Sequence, residues 1–155
     1  MYILVADDEG PKLENLVEIV HSVFPFAEIA TARSVRAALD DHLRIRNTDI
    51  VVLDMSLPTF DVAPGEQGGR PQNYGGIELL RFMDFYDVCC PVFIVTQYEA
   101  FPDKDGHVDL SCLAERLRNE HSGMFRDMIY YGGATDDGWR RRLTTALTEA
   151  RFLEK

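Results

Sequence analysis

An aspartate stands directly behind four bulky apolar residues in the stretch IVVLD, residues 50 to 54. A continuous apolar run rich in β-branched residues is typical of a strand that is covered on both faces, as in a parallel sheet. Asp54 is therefore expected at the end of a buried strand, where a charge is costly unless a function requires it. A carboxylate in such a place can bind a cation or act as a nucleophile toward a phosphoryl group.

Further polar groups follow other apolar runs of the chain. Asp7 and Asp8 follow residues 2 to 6, and Thr96 ends the run at 91 to 96. The carboxyl ends of parallel strands meet at one edge of a sheet, so three carboxylates and a hydroxyl should converge there. Like charges at short range repel, whereas a hard divalent cation converts the repulsion into coordination. The pattern therefore predicts a Mg²⁺ site at this edge.

The elements that must position these groups alternate between strand-like runs and helical periodicity, which is typical of βαβ units. Pro11 suits the first turn of the first helix, and Ser34 and Thr135 are the expected N-caps of the second and the last. Five such units predict an α/β fold, with a doubly wound parallel sheet and helices on both faces, in a single domain over residues 1 to 155. The predicted strands are 2–6, 27–32, 50–54, 91–96 and one ending at 128–131, and the predicted helices are 11–24, 35–45, 76–86, 109–121 and one from about 135.

The composition restricts the partners. The chain has 26 acidic and 16 basic residues and a net charge of -10, which disfavours non-specific attraction to nucleic acid or anionic lipid. Proteins, cations and small molecules are the partners expected instead. No apolar stretch reaches the roughly 18 residues of a membrane span, so a soluble, cytoplasmic protein is expected. The three cysteines have the spacing of neither a zinc site nor a disulfide framework.

Four stretches, ILVADDE (3–9), VVLDMSLP (51–58), GGIELLR (75–81) and FIVTQ (93–97), follow one another along most of the chain. Together they resemble the receiver domains of bacterial response regulators, the phosphoacceptor modules of two-component systems. The resemblance implies a flavodoxin-like sheet of five parallel strands in the order 2-1-3-4-5.

The resemblance also implies roles for individual residues. Asp54 would be phosphorylated by a sensor histidine kinase or a phosphotransfer protein, and the Thr96 hydroxyl would reach a phosphoryl oxygen. Mg²⁺ would be bound by Asp8 directly, by Asp7 mostly through water, by Asp54 and by the backbone carbonyl of Ser56. The signal would leave through contacts with a downstream protein effector, with no enzymatic activity beyond the domain's own phosphoryl transfer and dephosphorylation.

The chain departs from this family after the fifth strand, where receiver domains carry a lysine. Here the sequence reads MIYYGGATDDGW, so that Tyr130 or Tyr131 is expected in the lysine's place. A phenol brings no positive charge, which leads to the hypothesis that phosphorylation shifts the conformation only weakly. Strong coupling would instead mean that another cation, Lys12 or an arginine, has taken over the role.

Two segments depart from the family in length. Residues 59 to 76 are expected to form a flexible insertion after the third strand. Residues 98 to 123 are expected to replace a compact helix with a polar loop and a helix, and the segment from Gln97 to Gly123 is hypothesised to be a partner surface.

Other functions are open to the same residues. A pseudo-receiver, a protein-interaction module that works without phosphorylation, remains an alternative because the lysine is absent. A phosphatase of the haloacid dehalogenase type would need a second aspartate two residues after Asp54, where the chain has Ser56. A flavodoxin-like cofactor site is disfavoured because the first turn, ADDEGPK, is acidic where a phosphate-binding loop would be rich in glycine or hydroxyls.

Overall fold

The computed structural model describes residues 1–61, 74–104 and 106–153. A five-stranded parallel sheet forms the centre, in the order β2-β1-β3-β4-β7, and β5 and β6 form a separate antiparallel hairpin. The strands are β1 (Tyr2–Ala6), β2 (Glu28–Ala32), β3 (Ile50–Leu53), β4 (Val92–Thr96), β5 (Ala100–Asp103), β6 (Gly106–Asp109) and β7 (Phe125–Tyr130). The helices are α1 (Gly10–Val23), α2 (Val35–Ala38), α3 (Gly75–Phe85), α4 (Leu110–Glu120) and α5 (Asp137–Leu153).

This arrangement confirms the predicted doubly wound fold. The two hairpin strands, β5 and β6, come between β4 and β7 in the sequence but are not part of the parallel sheet. When the five strands of the parallel sheet are numbered on their own, their order is the expected 2-1-3-4-5. All the residues of β3 and β4 are buried, which explains their unbroken apolar sequences. None of the helices among the described residues is long and apolar enough to cross a membrane.

Alternate residues of the strands enter two separate cores. On β1, Ile3 and Val5 pack with α1 and α5, whereas Leu4 and Ala6 pack with α2, α3 and α4. The period of two in side-chain direction distributes the apolar residues between the faces. The helices thus cover both faces of the sheet and leave the carboxyl ends of the strands as the edge where polar groups can gather.

The pairing of β1 with β3 brings the predicted site residues together. Ala6 pairs with Leu53, and the amide of Asp54 donates a hydrogen bond of 2.9 Å to the carbonyl of Ala6. Asp7 and Asp54 therefore leave the sheet side by side.

The helix predicted over residues 35 to 45 is shorter than expected. After α2 the chain forms a π-helical turn over Leu39–Leu43, which keeps Leu39 and Leu43 buried. Ser34 caps α2 as predicted, because its hydroxyl accepts a hydrogen bond from the amide of Ala37.

The N-cap predicted at Thr135 is wrong. Helix α5 begins at Asp137, and the carboxylate of Asp136 accepts a hydrogen bond of 2.9 Å from the amide of Gly138. A carboxylate also interacts favourably with the positive end of the helix, which a threonine hydroxyl cannot match.

The polar loop predicted before α4 is also wrong, because much of it forms the β5–β6 hairpin. Phe101 pairs with Val108, and both side chains are buried in the core on the α3 and α4 side. The segment proposed as a partner surface is therefore anchored to the core by these two side chains. Most of the other predicted insertion, residues 59 to 76, lies outside the described residues.

Two glycines at the start of α3 allow that helix to lie against the turn that follows Asp54. A Cβ atom on Gly75 would overlap the backbone carbonyl of Leu57, and one on Gly76 would lie 3.0 Å from the carbonyl oxygen of Asp54. The amide of Gly76 also donates a hydrogen bond of 2.9 Å to the carbonyl of Met55. This close approach fixes the backbone that carries the Asp54 side chain.

Replacing Gly75 with alanine should destabilise the protein by roughly 1–3 kcal/mol, because the clash is with backbone that cannot rotate away. Urea unfolding measures this change in the free energy of unfolding. Gly10→Ala is the matched control, since its Cβ would meet only the Arg33 side chain at 3.7 Å. Equal stability of the two variants would contradict the tight approach of α3.

Candidate functional site

Three carboxylates gather at the carboxyl edge of the sheet, as the sequence predicts. One oxygen from each of Asp7, Asp8 and Asp54 lies within 4.8 Å of the others. Asp7 and Asp54 are buried, whereas Asp8 is exposed and closes the cluster on its solvent side. The cluster is therefore buried on the side of the sheet and open to solvent at Asp8.

Backbone contacts hold the two turns that carry these groups. The amide of Asp7 donates to the carbonyl of Ala32, which ties the end of β1 to the end of β2. The Asp7 carboxylate accepts a hydrogen bond of 2.9 Å from the amide of Glu9, and the Asp8 carbonyl accepts one of 2.9 Å from Arg33. The acidic turn is therefore fixed before any ligand binds.

A buried lysine lies between the two buried carboxylates. The Nζ atom of Lys12 lies 2.7 Å from Asp7 Oδ2 and 3.0 Å from Asp54 Oδ1, and its side chain is 1% exposed. The contact with Asp54 is a hydrogen bond, and the contact with Asp7 is a buried ion pair. Lys12 therefore neutralises part of the charge of both buried carboxylates.

The charges shift one another's protonation. Burial, more than the repulsion from Asp54, raises the pKa of Asp7 to about 6, although the Lys12 ammonium opposes the shift. Partial burial and the nearby charge of Asp54 also raise the pKa of Asp8. Burial alone would lower the pKa of Lys12, but the carboxylates of Asp54 and Asp7 outweigh burial and raise it, so that Lys12 is an ammonium at neutral pH.

The oxygen atoms of this cluster suit a hard divalent cation. Mg²⁺ binds one or two carboxylates and keeps several waters, and one oxygen from each of the three aspartates converges here beside the exposed Asp8. A cation here would relieve the excess of negative charge that Lys12 leaves. The donor set of this chain therefore fits the metal that the sequence predicts.

The remaining predicted residues lie on neighbouring segments. Thr96 ends β4 and is completely buried, and its Oγ1 accepts a hydrogen bond of 3.2 Å from the amide of Tyr98. Its hydroxyl proton therefore remains available to another acceptor. Ser56 lies in the turn two residues after Asp54, and its buried hydroxyl has no hydrogen-bond partner.

Tyrosine follows β7 where the family lysine is expected. Tyr131 is buried and its amide donates to the carbonyl of Thr96, whereas Tyr130 is 40% exposed. The Lys12 ammonium lies 5.6 Å from the centre of the Tyr131 ring, and the Tyr131 hydroxyl accepts a hydrogen bond from Asn15. Tyr131 thus forms the wall of the site beside Lys12.

Lys12 is the residue of the cluster whose contacts the sequence does not predict, since the sequence names it only as one cation that could replace the strand-end lysine. The sequence does indicate that Lys12 is buried, because it precedes Leu16 by four residues and so lies on the buried stripe of α1. A lysine on such a stripe, in the first turn of a helix that follows two aspartates, must find carboxylates in the interior.

The order of the parallel sheet, with the acidic cluster at the carboxyl ends of its strands, is the arrangement expected for the receiver-domain fold. Solved structures share this fold. A response regulator receiver protein from Pseudoalteromonas atlantica has a TM-score of 0.69 at 12% identity, with all of both chains covered. A response regulator receiver domain from Clostridium thermocellum has a TM-score of 0.62 at 20% identity, with 99% of this chain and 95% of the other covered.

Two related proteins match the sequence over nearly its whole length. The chain is 24% identical over 150 residues to the Detocs response regulatory protein DtcB of Enterobacter cloacae, covering 96% of this chain and 99% of that protein. It is 27% identical over 142 residues to the protein of the same name from Vibrio alginolyticus, covering 90% and 95%. No protein-family model matches the sequence.

Proposed function

We propose that this chain is a phosphoacceptor receiver module of a two-component phosphorelay that works in the cytoplasm. Asp54 accepts a phosphoryl group from a sensor histidine kinase or a phosphotransfer protein, and the output passes through contacts with a protein effector. The resemblance over nearly the whole length of two response regulatory proteins supports this role. The module catalyses no reaction beyond its own phosphoryl transfer and dephosphorylation.

The convergence of Asp7, Asp8 and Asp54 carries the proposal. Three carboxylates within 4.8 Å of one another repel, so their retention beside a buried strand end favours a site that uses negative oxygens. Thr96 at the end of the adjacent strand β4 adds a buried hydroxyl, whose proton can be donated to a phosphoryl oxygen.

The proposed transfer replaces one bond to phosphorus with another. An oxygen of Asp54 forms a P–O bond while the P–N bond to the donor histidine breaks, and the electron pair of that bond returns to the imidazole. Asp7 and Asp8 take no covalent part. In the proposal, Asp7, Asp8, Asp54 and the Ser56 carbonyl would hold Mg²⁺, which would supply positive charge near the transferring group.

The absence of the strand-end lysine does not by itself predict that phosphorylation shifts the conformation only weakly. That hypothesis assumed a site with only a neutral phenol in the lysine's place. The Lys12 ammonium lies 3.0 Å from Asp54, so a positive charge is present although it comes from a different helix.

A pseudo-receiver is the second candidate, and the same lysine favours it. An ammonium that already contacts Asp7 and Asp54 could stabilise the fold without any phosphoryl group or metal. In that role the domain would bind its protein partner independently of phosphorylation.

Incubation with Mg²⁺ and acetyl phosphate should add one phosphoryl group to the protein, detected by intact-mass measurement. Asp54→Asn should abolish the addition, because the amide is a poor nucleophile. Asp103→Asn, which removes an exposed carboxylate on the hairpin, is the control and should be modified like the natural chain. An unmodified natural chain that still binds its partner would support the pseudo-receiver instead.

Mg²⁺ should raise the melting temperature, because it binds the folded carboxylate cluster and not the unfolded chain. Saturation to a hundred times the dissociation constant corresponds to about 2.7 kcal/mol of stabilisation. Asp8→Ala should remove the effect by removing the exposed carboxylate of the cluster. A metal-dependent shift in melting temperature that persists in this variant would place the ion elsewhere.

The affinity for Mg²⁺ should fall as the pH is lowered through 6. Burial raises the pKa of Asp7 to about 6, so protons compete with the metal below that pH. The ionised fraction falls from about nine tenths at pH 7 to about one tenth at pH 5, which predicts a roughly tenfold weaker apparent affinity. Titration calorimetry at the two pH values measures this ratio. Asp7→Asn should bind more weakly at pH 7 and show a flatter profile, and an unchanged slope would exclude Asp7 as the titrating group.

A further inference from the structure

We infer that Lys12 of helix α1 is the residue whose positive charge binds the phosphoryl group on Asp54. The inference rests on the proposed function and names a further catalytic residue for it. It also means that the ammonium is supplied from the first helix and not from the strand end, where Tyr131 stands.

The contacts of Lys12 place its ammonium at the acceptor atom itself. Nζ donates a hydrogen bond of 3.0 Å to Asp54 Oδ1 and lies 2.7 Å from Asp7 Oδ2. An ammonium has three N–H donors, so one can be directed to a phosphoryl oxygen while another keeps a carboxylate. No large displacement of α1 is then needed for Lys12 to follow the charge from the carboxylate to the phosphoryl group.

The place of Lys12 in α1 argues against a purely structural role. Lys12 lies in the first turn of the helix, where the helix dipole disfavours a cation, and its ammonium has lost nearly all contact with water. An apolar side chain would fill the same position at lower cost if only packing were required. The position is explained by the excess of negative charge at the site.

Phosphorylation increases that excess. A phosphoryl group carries about 1.5 to 2 negative charges near neutral pH, against one on the free carboxylate. The ammonium that balances part of the charge of Asp7 and Asp54 thus becomes the nearest buried partner for the new oxygens.

Other candidates among the described residues are less well placed. Arg33 is exposed, and the contact it makes near the site is with the backbone carbonyl of Asp8. Tyr131 offers a hydroxyl that already accepts from Asn15, and its ring faces the ammonium. The choice between Lys12 and Arg33 can be tested directly.

The test compares Lys12→Gln, Arg33→Gln and Lys104→Gln with the natural chain. Each variant loses one positive charge, and Lys104 lies exposed in the hairpin turn as the control. The initial rate of Asp54 phosphorylation by acetyl phosphate with Mg²⁺ is followed by intact mass. Lys12→Gln should be at least about tenfold slower, as expected for loss of a charged hydrogen bond, and Lys104→Gln should stay within about twofold. Arg33→Gln should lose less than Lys12→Gln, because Arg33 contacts the backbone carbonyl of Asp8 and not the Asp54 carboxylate. A normal rate for folded Lys12→Gln, or a larger loss in Arg33→Gln, would overturn the inference.

A structure of the natural chain with beryllofluoride and Mg²⁺ makes the test independent of whether Lys12→Gln folds. Lys12 Nζ should lie within hydrogen-bond distance of a fluoride, about 2.7–2.9 Å. An ammonium that contacts only Asp7, with the fluorides bound by other groups, would also overturn the inference. Failure of the natural chain to take up either beryllofluoride or a phosphoryl group would contradict the proposed function itself.

Discussion

The ion pair of one buried ammonium with two buried carboxylates is the interaction on which the rest of this edge of the molecule depends. Lys12 lies between Asp7 and Asp54, which come from different strands, and its own helix packs on one face of the sheet. Removing one partner from such a cluster leaves an uncompensated charge in the interior, which typically costs several kcal/mol. The ends of β1 and β3 and the start of α1 are therefore joined by charge as well as by backbone hydrogen bonds.

The same cluster balances two opposing needs. The proposed phosphoacceptor role requires negative oxygens close together, and a folded interior resists them. The fold meets both needs by burying Asp7 and Asp54 beside a cation and leaving Asp8 exposed. Glycines at the start of α3 keep the Asp54 turn tightly packed, so that the carboxylate has little freedom to turn away from this balance.

The fold and the acidic cluster could be predicted from local patterns. Apolar runs predict the strands of the parallel sheet, and the rule that the carboxyl ends of parallel strands meet predicts that Asp7, Asp8 and Asp54 lie together, as they do. Both features depend on periodicity and chain order, which a sequence displays directly.

The features that could not be predicted depend on tertiary contacts. The β5–β6 hairpin could not be predicted, because Pro102 and the charged residues around it are not typical of a strand. The hairpin depends on the pairing and burial of Phe101 and Val108. Choosing between Thr135 and Asp136 as the cap of α5 required the position of a single turn. The contact of Lys12 with Asp54 spans 42 residues of sequence, and nothing local to α1 specifies that partner.

The burial of Lys12 also divides the amines of the protein into chemically distinct groups. The chain has three lysines, of which Lys12 is 1% exposed, Lys104 is exposed and Lys155 lies beyond the described residues. Amine-directed chemistry, whether an acetylating enzyme or a labelling reagent, needs a deprotonated and accessible nitrogen, and Lys12 offers neither while its carboxylate partners are in place. The rate at which Lys12 is acylated, relative to the exposed Lys104, therefore reports how often Lys12 leaves its carboxylate partners and reaches solvent.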